Sequence, residues 1–199
     1  KYFTPEINLE IDTRDIFWNP NSGTRIVHSV IPRLGEKSFY VWNQSYSFYI
    51  PAFFKTVLAL NTTIQRKYGH KSDVWISYFG NSYNVRGWEL PEKKSNIDNY
   101  RFGHDYVFSS LELRKLMLNK INGRLGFNNG LCIVAFFDGG LISREWKDLD
   151  RNKFIGGVGL GVRIPIPILQ SLRIDVGWGV KDNKLINKQS FHFAVQQKF

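Results

Sequence analysis

The chain has 199 residues and carries 27 Lys and Arg against 17 Asp and Glu, a formal charge of +10, and its length suits one folded domain. Hydrophobic residues at 43% and aromatic residues at 16% exclude a disordered chain, and 16 Phe, 9 Tyr and 6 Trp beside a single Met argue against a helical bundle. The single cysteine, Cys132, excludes a disulfide framework and a Cys-rich zinc centre, and no apolar run is long enough for a transmembrane helix.

Along the chain the hydrophobic pattern has period two. Ile7, Leu9 and Ile11 face away from Asn8, Glu10 and Asp12, and Leu58, Leu60, Thr62 and Ile64 face away from Ala59, Asn61 and Thr63. Val107, Leu111 and Leu113 oppose Ser110, Glu112 and Arg114, which favours a strand there over the competing helical run from Leu111 to Leu118. Val158, Leu160, Val162 and Ile164 alternate with Gly157, Gly159, Gly161 and Arg163. Leu172, Ile174, Val176 and Trp178 alternate with Arg173, Asp175, Gly177 and Gly179. At the end of the chain Phe191, Phe193, Val195 and Phe199 share one face, against His192, Ala194, Gln196 and Lys198. Successive strand residues point to opposite sheet faces, so each segment has one apolar and one polar or glycine-rich face. The pattern predicts about ten strands, at residues 7–14, 24–32, 37–50, 53–66, 73–80, 105–115, 130–138, 154–164, 170–180 and 189–199. The fold class is therefore all-β.

Two architectures fit. A soluble β-sandwich turns its apolar faces inward, whereas a transmembrane barrel turns them to lipid and its polar faces to a wet lumen. Trp42, Tyr46, Trp75, Tyr78, Trp88, Trp146, Trp178 and Phe199 fall near predicted strand ends or in loops, as interfacial girdles of rings would. The connection around Pro165 and Pro167 is tight, while 80–104, 139–153 and 181–190 are long and polar. Tight turns at one end and long loops at the other point to an outer-membrane barrel.

The basic residues are scattered, with their densest positions at Lys93-Lys94 and between Lys115 and Arg124, where turns are expected. That is the pattern of a solvated surface, and no recognition helix or base-stacking strand motif accompanies it, so nucleic acid is not an expected partner. His28, His70, His104 and His192 have no metal-ligand spacing, and no nucleophile, base and orienting group recur together. Neither a catalytic site nor a metal or other cofactor is expected. Lys1-Tyr2-Phe3-Thr4-Pro5 contains no signal-peptide core, so an exported chain would be a mature form or a fragment.

Six short motifs in order resemble the bacterial surface antigen family, the superfamily of BamA- and TamA-type outer-membrane insertase barrels, in its C-terminal β-barrel portion. Asp12-Thr13-Arg14-Asp15 with Asn19-Pro20 and Ser22-Gly23 resembles the family's strand-end motif before a short outer turn. Asn84-Val85-Arg86-Gly87-Trp88 is similar to the tip of its long loop, with Trp in the aromatic place. Ser110-Leu111-Glu112-Leu113-Arg114 resembles the strand that follows that loop, and Ala135-Phe136-Phe137-Asp138-Gly139-Gly140 is similar to a strand-end motif of the family. The run from Gly157 to Arg163, with Pro165-Ile166-Pro167, is similar to the penultimate hairpin, and Phe191, Phe193 and Phe199 to the terminal β-signal.

The resemblance implies that a loop at about 81–104, extracellular and lumen-inserted, folds back into the barrel and that Arg86 meets Glu112 and Asp138 on the wall. Alternation alone already puts Glu112 on the polar face of its strand. Without the family, Arg86 would read as a solvated loop charge. Gly157, Gly159 and Gly161, on one face, leave room for an inserted loop or relieve strand bending.

The resemblance further implies a bacterial outer-membrane location and assembly of outer-membrane proteins or polypeptide translocation. Its partners would be outer-membrane lipid and lipopolysaccharide, with client β-barrel polypeptides or accessory lipoproteins. Family members carry POTRA domains before a sixteen-stranded barrel, so the expectation is either the C-terminal part of such a barrel or a compact one. A compact barrel would anchor a soluble domain without transport. A soluble β-sandwich binding acidic ligands is the third reading.

Overall fold

The computed structural model of the chain describes residues 1–17, 19–91, 100–117, 131–166, 170–182, 184–195 and 199. Lys93-Lys94, most of the stretch from Lys115 to Arg124, and Pro167 lie outside them. The described strands are β1 (Ile7–Asp12), β2 (Gly23–Arg33), β3 (Phe39–Ala52), β4 (Thr56–Gly69), β5 (Ser77–Tyr78), β6 (Phe102–Gly103), β7 (Asp105–Leu116), β8 (Cys132–Ser143), β9 (Ile155–Ile166), β10 (Gln170–Lys181) and β11 (Lys184–Val195). Nine of them form one antiparallel sheet in the order β1-β2-β3-β4-β7-β8-β9-β10-β11, and β5 pairs with β6 in a small ribbon. Among the described residues β1 pairs with β2 alone and β11 with β10 alone.

Alternation is preserved across this sheet, and its polarity is inverted relative to a water-soluble core. Leu9 is 64%, Leu160 56% and Phe193 65% exposed, while Glu112, Asp138, Asp175 and Arg173 are fully buried. In water so wide an apolar surface would be unstable, and charged groups leave water only when paired. Lipid outside and a polar interior satisfy both conditions. This face inversion sets the soluble β-sandwich aside.

Two sequence expectations shift. Residues 73–80 are not a strand of the sheet: a 3-10 turn, Asp73–Trp75, precedes the two-residue β5 on the way into the interior. Nor is 181–190 a long loop, because β10 runs to Lys181 and β11 begins at Lys184, with Lys181 opposite Lys184. Main-chain pairing tolerates polar side chains, and this extension is exposed apart from Ile186, which packs against the buried aromatic cluster, so its composition resembles a loop. The long connections at that end are 70–104 and 144–154, and the turn after Asp12 lies at the opposite end.

The aromatic residues also divide differently. Trp42 and Trp146 lie at the end that carries the long loop, but Trp88 belongs to a buried cluster with Phe79, Val85, Phe108, Ile142 and Ile155. That cluster packs the loop's apolar residues against inward positions of β7, β8 and β9.

Candidate functional site: a loop locked inside the sheet

Strand register builds the site. One row across the inner face runs Asn61, Ser110, Asp138, Gly157, Gly179, and the next runs Ala59, Glu112, Phe136, Gly159, Gly177, Ser190. Asp138 and Glu112 therefore stand one step apart on neighbouring strands. The side-chain-free positions Gly157, Gly159, Gly177 and Gly179 open a recess beside them.

Into this recess the tip of the 70–104 loop delivers Arg86. Its Nε donates to Asp138 Oδ2 at 2.7 Å and its Nη2 to Asp138 Oδ1 at 2.9 Å, a bidentate fork. Its backbone N–H adds a third bond to Oδ2 at 3.0 Å. Nη1 reaches Glu112 at 2.8 Å and Asp175 at 3.1 Å. The guanidinium carbon lies 3.6 Å from the Phe136 ring centre, so the π-face receives the cation from below. All four charged side chains are fully buried. Arg114 and Arg163 also reach Glu112, at 2.8 and 3.1 Å, and Arg163 and Arg173 reach Asp175. Four guanidiniums thus share three carboxylates.

The backbone around Arg86 is fixed as firmly. A Cβ at position 157 would overlap the Arg86 carbonyl oxygen, and one at position 179 would collide with the Trp88 indole. Gly87 has φ +89°, where a Cβ would strike Trp178 backbone atoms, so a left-handed, closely approached residue is required. The Gly87 N–H donates to His192 Nε2 at 2.9 Å, and Trp88 Nε1 donates to the Gly156 carbonyl at 2.7 Å. Val85 is fully buried in the aromatic cluster. Of the two readings of the glycine face, Gly157 makes room for the loop, while Gly159 accommodates the Phe136 ring and Gly161 the Asp175 carboxylate.

At the far end of the sheet Arg14 forks onto Asp12, with Nε at 2.8 Å and Nη2 at 2.6 Å. Asp15 accepts from the backbone N–H groups of Asn21 at 2.8 Å and Ser22 at 3.1 Å, which closes the turn. Burial works against the charged Asp15 carboxyl, but these donors outweigh it and hold its pKa below the ordinary value. Phe191 and Phe193 are exposed on the outer face of β11. Phe199 departs from the face expected for it: it is buried, with its ring centre 6.3 Å from that of Tyr49 and 5.1 Å from the Arg114 guanidinium carbon.

A family model described as the Omp85 superfamily domain matches residues 2–199. The chain belongs to the Omp85 superfamily. Among solved structures, BamA from Haemophilus ducreyi lacking POTRA domains 1-3 aligns with a TM-score of 0.70 and 16% identity, over 98% of this chain and 42% of that one. The likeness is one of fold, and the chain spans less than half of that BamA chain. No curated protein sequence matches.

The sequence motifs of this Omp85 domain pointed to Arg86, Glu112 and Asp138, and the fold brings these three together. Asp175, Arg163, Ser110 and His192 complete the cluster, although the sequence assigned none of them to Arg86. Their signal was present, since each lies on the polar or glycine-rich face of its alternating strand. What alternation lacks is the register, which decides that Asp175 pairs across from Gly161 and reaches Arg86.

Proposed function

We propose that this Omp85 domain is the membrane-embedded part of a bacterial outer-membrane machine that inserts β-barrel proteins or translocates polypeptides. The observation that carries the reading is the locked loop: Val85, Arg86, Gly87 and Trp88 lie on the inner face of β7 to β11 and rest on a charged cluster that a passive anchor does not need. In this reading the loop holds the wall strands β7 to β11 in one arrangement, and outer-membrane lipid surrounds the apolar face. A client strand adds to an exposed sheet edge by β-augmentation, in which main-chain hydrogen bonds supply affinity with little sequence demand. Phe191 and Phe193 on β11 are the terminal signal, and Asp12, Arg14 and Asp15 brace the turn next to the other edge strand.

The test is client folding by the full-length protein in liposomes, read as the heat-dependent gel shift of an unfolded client barrel. Faster folding than in empty liposomes, abolished by Arg86→Ala at equal protein incorporation, supports the reading. Client folding at the rate of empty liposomes overturns it. No observation specifically favours the anchor reading.

A further inference from the structure

The outward face carries a second constellation, away from the interior cluster. Arg66 on β4 points outward, and its guanidinium carbon lies 4.8 Å from the ring centres of both Tyr68 and Trp146. Tyr68 in turn stacks on Tyr40 at 4.8 Å and 14°, and Trp42 lies opposite Arg66 in the strand register. The rings block the faces of the guanidinium and leave its edge, a planar fork suited to a phosphate. Arg66 and Lys147 line a recess of about 630 Å³ at the sheet end that carries the long loops. The carboxylates in that recess, Asp105 and Glu145, are taken by Lys71 at 3.0 and 2.9 Å. Among the described residues no carboxylate forms an ion pair with Arg66 or Lys147.

Four residues further along β4, about 13 Å at strand rise, the outward surface dips. Thr62, Ser109 and Gly139 form a row of small residues across β4, β7 and β8, with the two hydroxyls hydrogen-bonded to each other at 3.0 Å. Leu111, Phe137 and Phe154 wall this apolar groove of about 340 Å³. A cationic, ring-flanked recess lies at one end of the strip, and a narrow apolar slot lies one lipid-headgroup length below it.

We propose that this strip is a binding site for one lipopolysaccharide molecule, with a lipid A phosphate on Arg66 and Lys147 and an acyl chain in the groove over Ser109, beside the Phe154 ring that covers Gly139. The recess is larger than a lone phosphate needs and takes a phosphorylated sugar. The end that carries the longest connection, 70–104, corresponds to the outer end of an outer-membrane barrel, where rings and cations meet the headgroup layer. The inference rests on the membrane reading above but not on client insertion.

The test uses delipidated full-length protein in detergent, given lipid A or phosphatidylglycerol and read by native mass spectrometry. The wild type retains lipid A in preference to phosphatidylglycerol. Arg66→Gln combined with Lys147→Gln weakens retention about thirtyfold, and Ser109→Leu, which fills the groove, also lowers it. Arg144→Gln, removing an exposed cation paired with Asp73, leaves it unchanged. If the double variant does not fold, judged by its heat-dependent gel shift, Ser109→Leu alone carries the expectation. Equal retention by folded variants and wild type, or equal retention of the two lipids, overturns the proposal. A protein that enters bilayers but retains no lipid A overturns it and leaves the membrane reading standing, whereas failure to enter bilayers overturns both.

Discussion

At the scale of single residues, the interior is governed by the cost of burying charge. Removing one partner from a buried ion pair leaves the other uncompensated, at a cost of about 3–5 kcal/mol. Arg86→Ala and Glu112→Ala should each destabilise the refolded chain by about that much, with a coupling of about 1–3 kcal/mol in a double-mutant cycle. Urea unfolding in detergent measures it, and strict additivity would mean that the pair does not act as a unit. His104 titrates by the same logic. It is buried, and burial, with Lys67, Lys71 and Arg144 nearby, pushes its pKa below the ordinary 6.5 although Asp73 opposes them. The folded state favours the neutral ring, so the unfolded chain takes up the proton first. Stability from this group is present above pH 6.5 and is lost as pH falls below it. Thermal melts at falling pH should show a drop that His104→Asn removes.

At the scale of elements, strand existence was legible and strand limits were not. The alternation of Val158, Leu160 and Val162 with glycines marked β9, and that of Leu111 and Leu113 with Glu112 and Arg114 marked β7. The polar run after Lys181 hid the first half of β11, because pairing beyond the bilayer needs no apolar face. The segment 73–80 misled in the opposite direction: its rings and branched residues are those of a strand, but Phe79 packs inside with Val85 and Trp88. Motif resemblance supplied Arg86 and two of its carboxylates, whereas Asp175 required the register of β9 against β10. Two consequences belong to this scale. Phe193→Lys, outward on β11, should cost about 2–4 kcal/mol of membrane folding, while the inward change Ala194→Ser costs little. Fractionation and the heat-dependent gel shift measure both. Gly157→Ala should push the loop off the wall through its clash with the Arg86 carbonyl, and faster proteolysis within 70–104 at unchanged sheet content is the expected readout.

At the scale of the whole molecule, one inversion organises everything above: apolar side chains outside, charges and a folded-back loop inside. It explains how a chain of charge +10 buries Arg86, Arg114, Arg163 and Arg173 side by side, since Glu112, Asp138 and Asp175 face them. It also explains why the outward strip around Arg66 has rings above and small residues below. The most direct measurement of this inversion is spin-label accessibility in bilayers, on a Cys132→Ser background. Labels would be placed singly at Leu111, Leu113, Leu160, Phe191 and Phe193, and at Ser190, His192 and Ala194 between or beside them. The inversion predicts outward labels open to oxygen and closed to a water-soluble nickel complex, with period-two reversal along β11. Labels at Leu160 and Phe193 that are open to the nickel complex, or no alternation between Ser190 and Ala194, would contradict it.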